Sequence, residues 1–290
     1  MQEFNYQKIA ITLICTVLGF VLPLSFLWIL AAANVLTVGI IHGSNDLYIL
    51  SKAVKTSKKL PFGYLFGSYV LFVLVMIFAL YRISHWALLL FVLVSAYHFG
   101  EQQWHKSYIV NSIKLYLFYA AYGMFLFALL FYTHLDLTIQ IIFDIAAITI
   151  TPQFFILLLI VSFVFSFVLL ILNFRKLKNQ LLFQLVALLA LIFLFSQTSL
   201  LWSFSVYFVL WHSFPSLKEQ AEELFPKSKK PIQSYIRLAL PYWILAMIGF
   251  GVALLLYIDN IDSLLSIFFS FLAAITLPHV FVIFKMRQKN

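Results

Sequence analysis

The sequence predicts an all-α protein, a polytopic bundle of about ten transmembrane helices with both termini cytoplasmic. Three observations carry that class. Of the 290 residues, 64% are hydrophobic and 10% are charged. Soluble domains run at roughly half and a quarter, so these charges are too few to cover a water-facing surface. The apolar residues come in continuous runs rather than in the alternating ten-residue segments of a membrane barrel. Finally, Cys15 is the single cysteine, which excludes a disulfide scaffold. Disorder is excluded too, because disordered chains are polar and charge-rich.

A helix needs about 20 residues to cross the hydrocarbon core. The runs that meet this length are 8–30, 32–51, 62–81, 83–103, 110–131, 154–173, 181–198, 199–216, 237–257 and 264–284. The first follows a start with one lysine and no small-residue cleavage site, so it is expected to be a retained helix. Pro23 should kink that helix or end it early. The lysines at 52–59 divide the second run from the third, and Arg82 divides the third from the fourth. Lys106 follows the fourth, and the segment RKLKN separates the sixth from the seventh. The eighth follows the seventh with almost no loop. The segment KSKK precedes the ninth, and Lys285 closes the tenth. No internal repeat or boundary divides the chain, so 1–290 reads as a single integral membrane domain.

The net charge of +9 reads as topology, not as a nucleic-acid footprint, because the cations sit in short runs between apolar stretches. With the N-terminus in the cytoplasm, 18 of the 19 cations fall on the cytoplasmic side, and only Arg82 falls outside. Asp136, Asp144, Asp259 and Asp262 lie on the opposite side. Such a bias predicts an even number of spans in a multi-pass protein of the cell (inner) membrane.

An ionisable group inside hydrocarbon costs at least a few kcal/mol and usually has a function. Four groups stand out: GIIHGSNDLYIL with His42 and Asp46, SAYHFGEQQWH with His98, Glu101 and His105, VLWHSFPSLKEQ with His212, Ser216 and Glu219, and TLPHVFVIF with His279. All fall on even-numbered spans, which run from outside to inside. His42, His98, His212 and His279 precede the next cytoplasmic lysine by 10, 8, 6 and 6 residues. At the α-helical rise they share a depth of roughly 9–15 Å below the cytoplasmic edge. A common site requires such a shared depth. Neutral imidazoles without thiolates favour iron or zinc over a soft metal. Asp46 and Glu101 follow His42 and His98 at helical spacing, so each is expected to share its histidine's face. A carboxylate there can accept the second ring N–H and fix the tautomer. Glu219 is expected to cap the site at the interface. His85 and His134 read as structural, and so does His105.

The segments HGSND, SAYHFGE, WHSFPSL and LPH, in this order over about residues 35–285, resemble the Brp/Blh family of membrane-embedded β-carotene 15,15′-dioxygenases. The resemblance implies cleavage of the central double bond of β-carotene by O₂ to two molecules of retinal, which supply microbial rhodopsins. It implies a non-haem Fe(II) held by histidines. His42, His98 and His212 match the family positions, and His279 matches a late Pro-His pair and is the candidate fourth ligand. Two positions depart from the pattern. Ser216 stands where many members carry a further histidine, and Gln103 where members often carry an aspartate.

Three other readings compete. A di-iron desaturase uses close histidine boxes, and no two of the 7 histidines here lie within six residues of each other. A metal or proton transporter needs ionisable groups across the whole bilayer, whereas these cluster at one depth. A non-catalytic carotenoid- or retinal-binding protein is separated from an enzyme by assay for retinal.

Overall fold

The computed structural model describes residues 2–53, 61–104, 112–256 and 264–289. Among the described residues every regular element is a helix. In order these are α1 (Gln2–Val21), α2 (Leu24–Asn34), a π-helical segment π1 (Val35–Gly39), α3 (Asp46–Ala53), α4 (Phe62–Arg82) and α5 (Ser84–Trp104). There follow α6 (Ile113–Thr133), α7 (Leu135–Ala146), α8 (Pro152–Leu172), α9 (Phe174–Gln197) and α10 (Leu200–Val206). A second π-helical segment π2 (Tyr207–Ser213), α11 (Phe214–Leu224), α12 (Pro231–Leu256) and α13 (Leu264–Lys289) complete the chain. Lys55, Lys58, Lys59, His105, Lys106, Asp259 and Asp262 lie outside the described residues.

Among the described residues, six helices are long and apolar enough to cross a bilayer: α4, α6, α8, α9, α12 and the part Leu264–Arg287 of α13. That points to a membrane protein. On α8, Leu157, Ile160, Val161 and Val164 are each more than half exposed. Contiguous apolar surface of this kind is rare on soluble monomers.

Of the other four expected spans, three take different forms. Pro23 ends α1 and becomes the N-cap of α2, so the first break falls at Leu22–Pro23 and not near residue 31. A helix-interior proline lacks the N–H for its ladder and clashes with the preceding turn. The second expected span, 32–51, breaks again at the turn 42–45 before α3. The fourth forms as expected in α5, but His98, Glu101, Gln102 and Gln103 make its last turns polar. The eighth is wound as π2 in its middle and runs on through α11 to Leu224. One helix is additional. The sequence reading placed an outer loop after α6, and α7 occupies it. Its 12 residues are too few to cross a bilayer.

The chain forms two compact units, each assembled from three separated stretches. The first comprises Met1–Gly39, Ala96–Thr138 and Thr151–Pro215. Within it α6 packs on α8, α1 on α9, and α10 on α2. The end of α5 crosses α6 at Gly100 and Gly123. A Cβ on Gly100 would lie 1.9 Å from the Tyr119 carbonyl oxygen, and one on Gly123 would lie 1.8 Å from that of Ala96. Only glycine lets two backbones approach so closely. Gln103 then ties three helices together. Its Nε2 donates to the Tyr122 hydroxyl at 3.0 Å and to Gln184 Oε1 at 3.1 Å, and Gln184 Nε2 donates back to the Gln103 carbonyl at 2.7 Å.

The second unit comprises Ile40–Ser95, Ile139–Ile150 and Ser216–Asn290. Here α13 packs on α3 and α4, and α12 packs on α13. One core cluster joins Ile49 to Val282, Ile283 and Met286. A second joins Met76 and Ala87 to Ala274 and Leu277. A third joins Leu217 and Ala221 to Tyr235 and Ala239. Pro278 lies inside α13 and cannot donate to the carbonyl one turn back, immediately before His279.

Candidate functional site

Each unit buries one pair of histidines. In the first unit, His98 comes from the polar end of α5 and His212 from π2; both are buried. Their rings meet edge to face, with centroids 4.7 Å apart and planes at 76°. Phe99 lies flat on His212 at 4.1 Å and 7°, and Phe208 stacks on the same ring at 5.7 Å and 23°. Aromatic faces therefore set the plane of this imidazole. The π winding matters as well. One extra residue in a turn rotates every following side chain by about 100° relative to a regular helix. Trp211 anchors π2, donating through Nε1 to Thr12 Oγ1 at 3.0 Å, with the Lys8 ammonium 4.8 Å from its ring. The two π segments pack together. A Cβ at Gly39 would stand 2.6 Å from the Phe208 ring, so a larger residue there would displace the ring that stacks on His212.

In the second unit, His42 opens the turn 42–45 and His279 sits in α13; both are buried. Their rings also meet edge to face, at 4.7 Å and 82°, and a ring nitrogen of each lies within 4.8 Å of the other's. Here a carboxylate sets the orientation. His279 Nδ1 is 2.8 Å from Asp46 Oδ1, and the Tyr69 hydroxyl donates to Asp46 Oδ2 at 2.8 Å. With both oxygens engaged as acceptors, Asp46 favours the tautomer with the proton on Nδ1. That leaves the lone pair on Nε2, the tautomer that ligates a metal. Gly43 keeps the turn close to this ring, since a Cβ there would lie 3.2 Å from His279 Nδ1.

A hydrogen-bond chain fixes the backbone of His42. The Tyr235 hydroxyl lies 2.5 Å from the His42 carbonyl oxygen and 2.8 Å from Gln220 Oε1. Gln220 Nε2 donates to Ser216 Oγ at 2.9 Å, and Asn45 Nδ2 donates to the Tyr235 carbonyl at 2.9 Å. Ser216 is thus the far end of a chain that reaches the His42 main chain.

Several expectations change in detail. His42 and Asp46 do not share a helical face, because residues 42–45 form a turn; Asp46 orients His279 instead. The same turn removes the uniform helical rise from which the depth of His42 was read. Glu101 is buried and accepts a hydrogen bond from the Tyr97 hydroxyl at 2.9 Å. Glu219 pairs with Arg287 at 3.1 Å. Gln103 serves the helix crossing described above. His134 closes the end of α6, with Nε2 2.7 Å from the Thr198 carbonyl oxygen, and His85 is exposed.

Sequence reasoning missed Phe99, Phe208, Tyr69 and Tyr235. Phe208 precedes His212 by four residues, a helical spacing that could have flagged it. Tyr69 and Tyr235 reach the site from distant segments and carry no local signal.

Buried imidazoles, one of them held by a carboxylate, suit a borderline metal such as iron or zinc and could hold one. No curated protein and no solved structure matches the chain. The sequence family described as beta-carotene 15,15'-dioxygenase matches residues 33–287. His42, His98, His212 and His279 fall within that stretch, and the chain belongs to the beta-carotene 15,15'-dioxygenase family.

Proposed function

We propose that this protein cleaves the central double bond of β-carotene with O₂ and releases retinal, using Fe(II) ligated by His42, His98, His212 and His279. Family membership supports the substrate class and reaction. The observation that carries the metal assignment is the Tyr69–Asp46–His279 chain beside His42, because a carboxylate on the second nitrogen is the usual partner of a ligating histidine. Bound Fe(II) supplies the activation of O₂, for which it needs open coordination positions. The residues of the chain do the rest. Asp46 keeps the His279 proton on Nδ1, and Phe99 and Phe208 hold the plane of His212. The Tyr235 chain holds the main chain of His42. Glu101 and Glu219 are proposed as supporting acids. Apolar surroundings keep water from the reacting polyene and orient one double bond among many.

The substrate is a long hydrocarbon that dissolves in the bilayer, which fits a single integral domain in the cell (inner) membrane. The distribution of cations supports about ten crossings and cytoplasmic termini. The retinal would supply a microbial rhodopsin. Expression in β-carotene-producing bacteria tests the proposal. Retinal should accumulate and the orange colour fade, and His42→Ala, His98→Ala, His212→Ala and His279→Ala should each abolish both effects. Unchanged colour without retinal, from a chain confirmed in the membrane, would overturn it. That outcome would instead favour a non-catalytic carotenoid- or retinal-binding protein, the reading that Ser216 supports because it stands in place of a further histidine.

A further inference from the structure

Away from the histidines, the second unit carries a groove of about 650 Å³ where α11 meets the start of α12. Lys218 and Glu222 come from α11, Lys230 from the preceding link, and Ile232, Ile236 and Arg237 from α12. The other two acids of α11 are committed elsewhere: Glu219 pairs with Arg287 and Glu223 with Lys52. Glu222 is therefore the acid of α11 that faces the groove, against three cations. The groove carries a net positive charge, yet its floor is apolar.

Below it runs an apolar ridge. Ile236, Leu240, Ile244, Ile248 and Val252 recur every fourth residue along α12, and all are exposed. Of the apolar window of α12, 6% is buried, the lowest share among the six candidate spans. A basic pocket that opens directly onto an exposed apolar ridge matches one amphiphile. Lys218, Lys230 and Arg237 suit its phosphate, and the ridge suits its acyl chains. Soluble phosphates would match the pocket but not the ridge.

We propose that this groove is a binding site for the phosphate headgroup of a membrane phospholipid whose acyl chains pack on α12. Cations at a membrane surface each contribute on the order of a few-fold in affinity for anionic lipid, so losing three should cost at least about tenfold. Native mass spectrometry of the full chain released from phosphatidylglycerol/phosphatidylcholine nanodiscs reads this directly. The wild type should retain one phosphatidylglycerol. A Lys218→Ala/Lys230→Ala/Arg237→Ala variant should retain at least about tenfold less, as should the single variant Arg237→Glu if the triple variant does not fold. Lys176→Ala/Lys178→Ala, which removes cations from α9, should retain the lipid. Ile236→Asp/Leu240→Asp should lose it while keeping the cations. Equal retention by the groove variants and the wild type would overturn the proposal. So would displacement of the lipid by millimolar inorganic phosphate, which would make the groove a site for the free anion.

Discussion

At the scale of single residues, the two histidine pairs share a geometry and differ in how it is held. Both meet edge to face at 4.7 Å. In one, Phe99 and Phe208 fix a ring plane; in the other, Asp46 fixes a proton. A stacked ring sets orientation but not tautomer, whereas a carboxylate sets both. Asp46→Asn therefore tests the distinction. An amide can donate to Nδ1 and move the ring proton to Nε2, where it blocks ligation. The expected result is metal affinity lowered about 10- to 100-fold, the usual effect of losing such a partner, with the helical fold retained. Iron content of the purified variant and retinal yield in the carotenoid-producing host measure it. The histidines themselves were legible in the sequence, because charge is scarce around them. The partner of Asp46 was not, because the spacing of four from His42 is meaningful only inside a continuous helix. Gly43, Ser44 and Asn45 are turn-forming residues and already argued against one.

At the scale of elements, the long apolar helices α4, α6, α8 and α13 begin close to where hydropathy places them. The π segments left no such trace. A π turn adds one residue without changing composition, and its position depends on what the segment packs against. The helix α7 escaped notice because a short amphipathic stretch does not register in a search for 20-residue apolar runs. The crossing of α5 and α6 makes a sharper claim. With Gly100 and Gly123 each within 2 Å of a facing carbonyl oxygen if given a Cβ, any larger residue must separate the helices. Gly100→Val should destabilise the protein by roughly 3 kcal/mol or more, beyond the usual range for overpacking, because the obstacle is backbone. A fall in the thermal midpoint in detergent, with loss of the monodisperse peak on size exclusion, would report it. Unchanged stability would mean that the helices do not cross there.

At the scale of the whole molecule, the cation distribution makes a prediction that labelling can check. Cys15 is the single cysteine, so Cys15→Ser provides a clean background. In intact cells, a membrane-impermeant maleimide should label Arg82→Cys and spare Lys178→Cys. The reverse pattern would invert the topology, and labelling of both or of neither would refute the span count. The interleaving of the two units also bears on synthesis. The last stretch of the first unit ends at Pro215, so the partners His98 and His212 are both synthesised before the second unit is complete. The second unit must wait, because the link between Asp46 and His279 closes a loop of 233 residues. Asp46 on α3 meets its imidazole only once α13 has been made. Any loading of metal onto His42 and His279 together must therefore await the synthesis of α13.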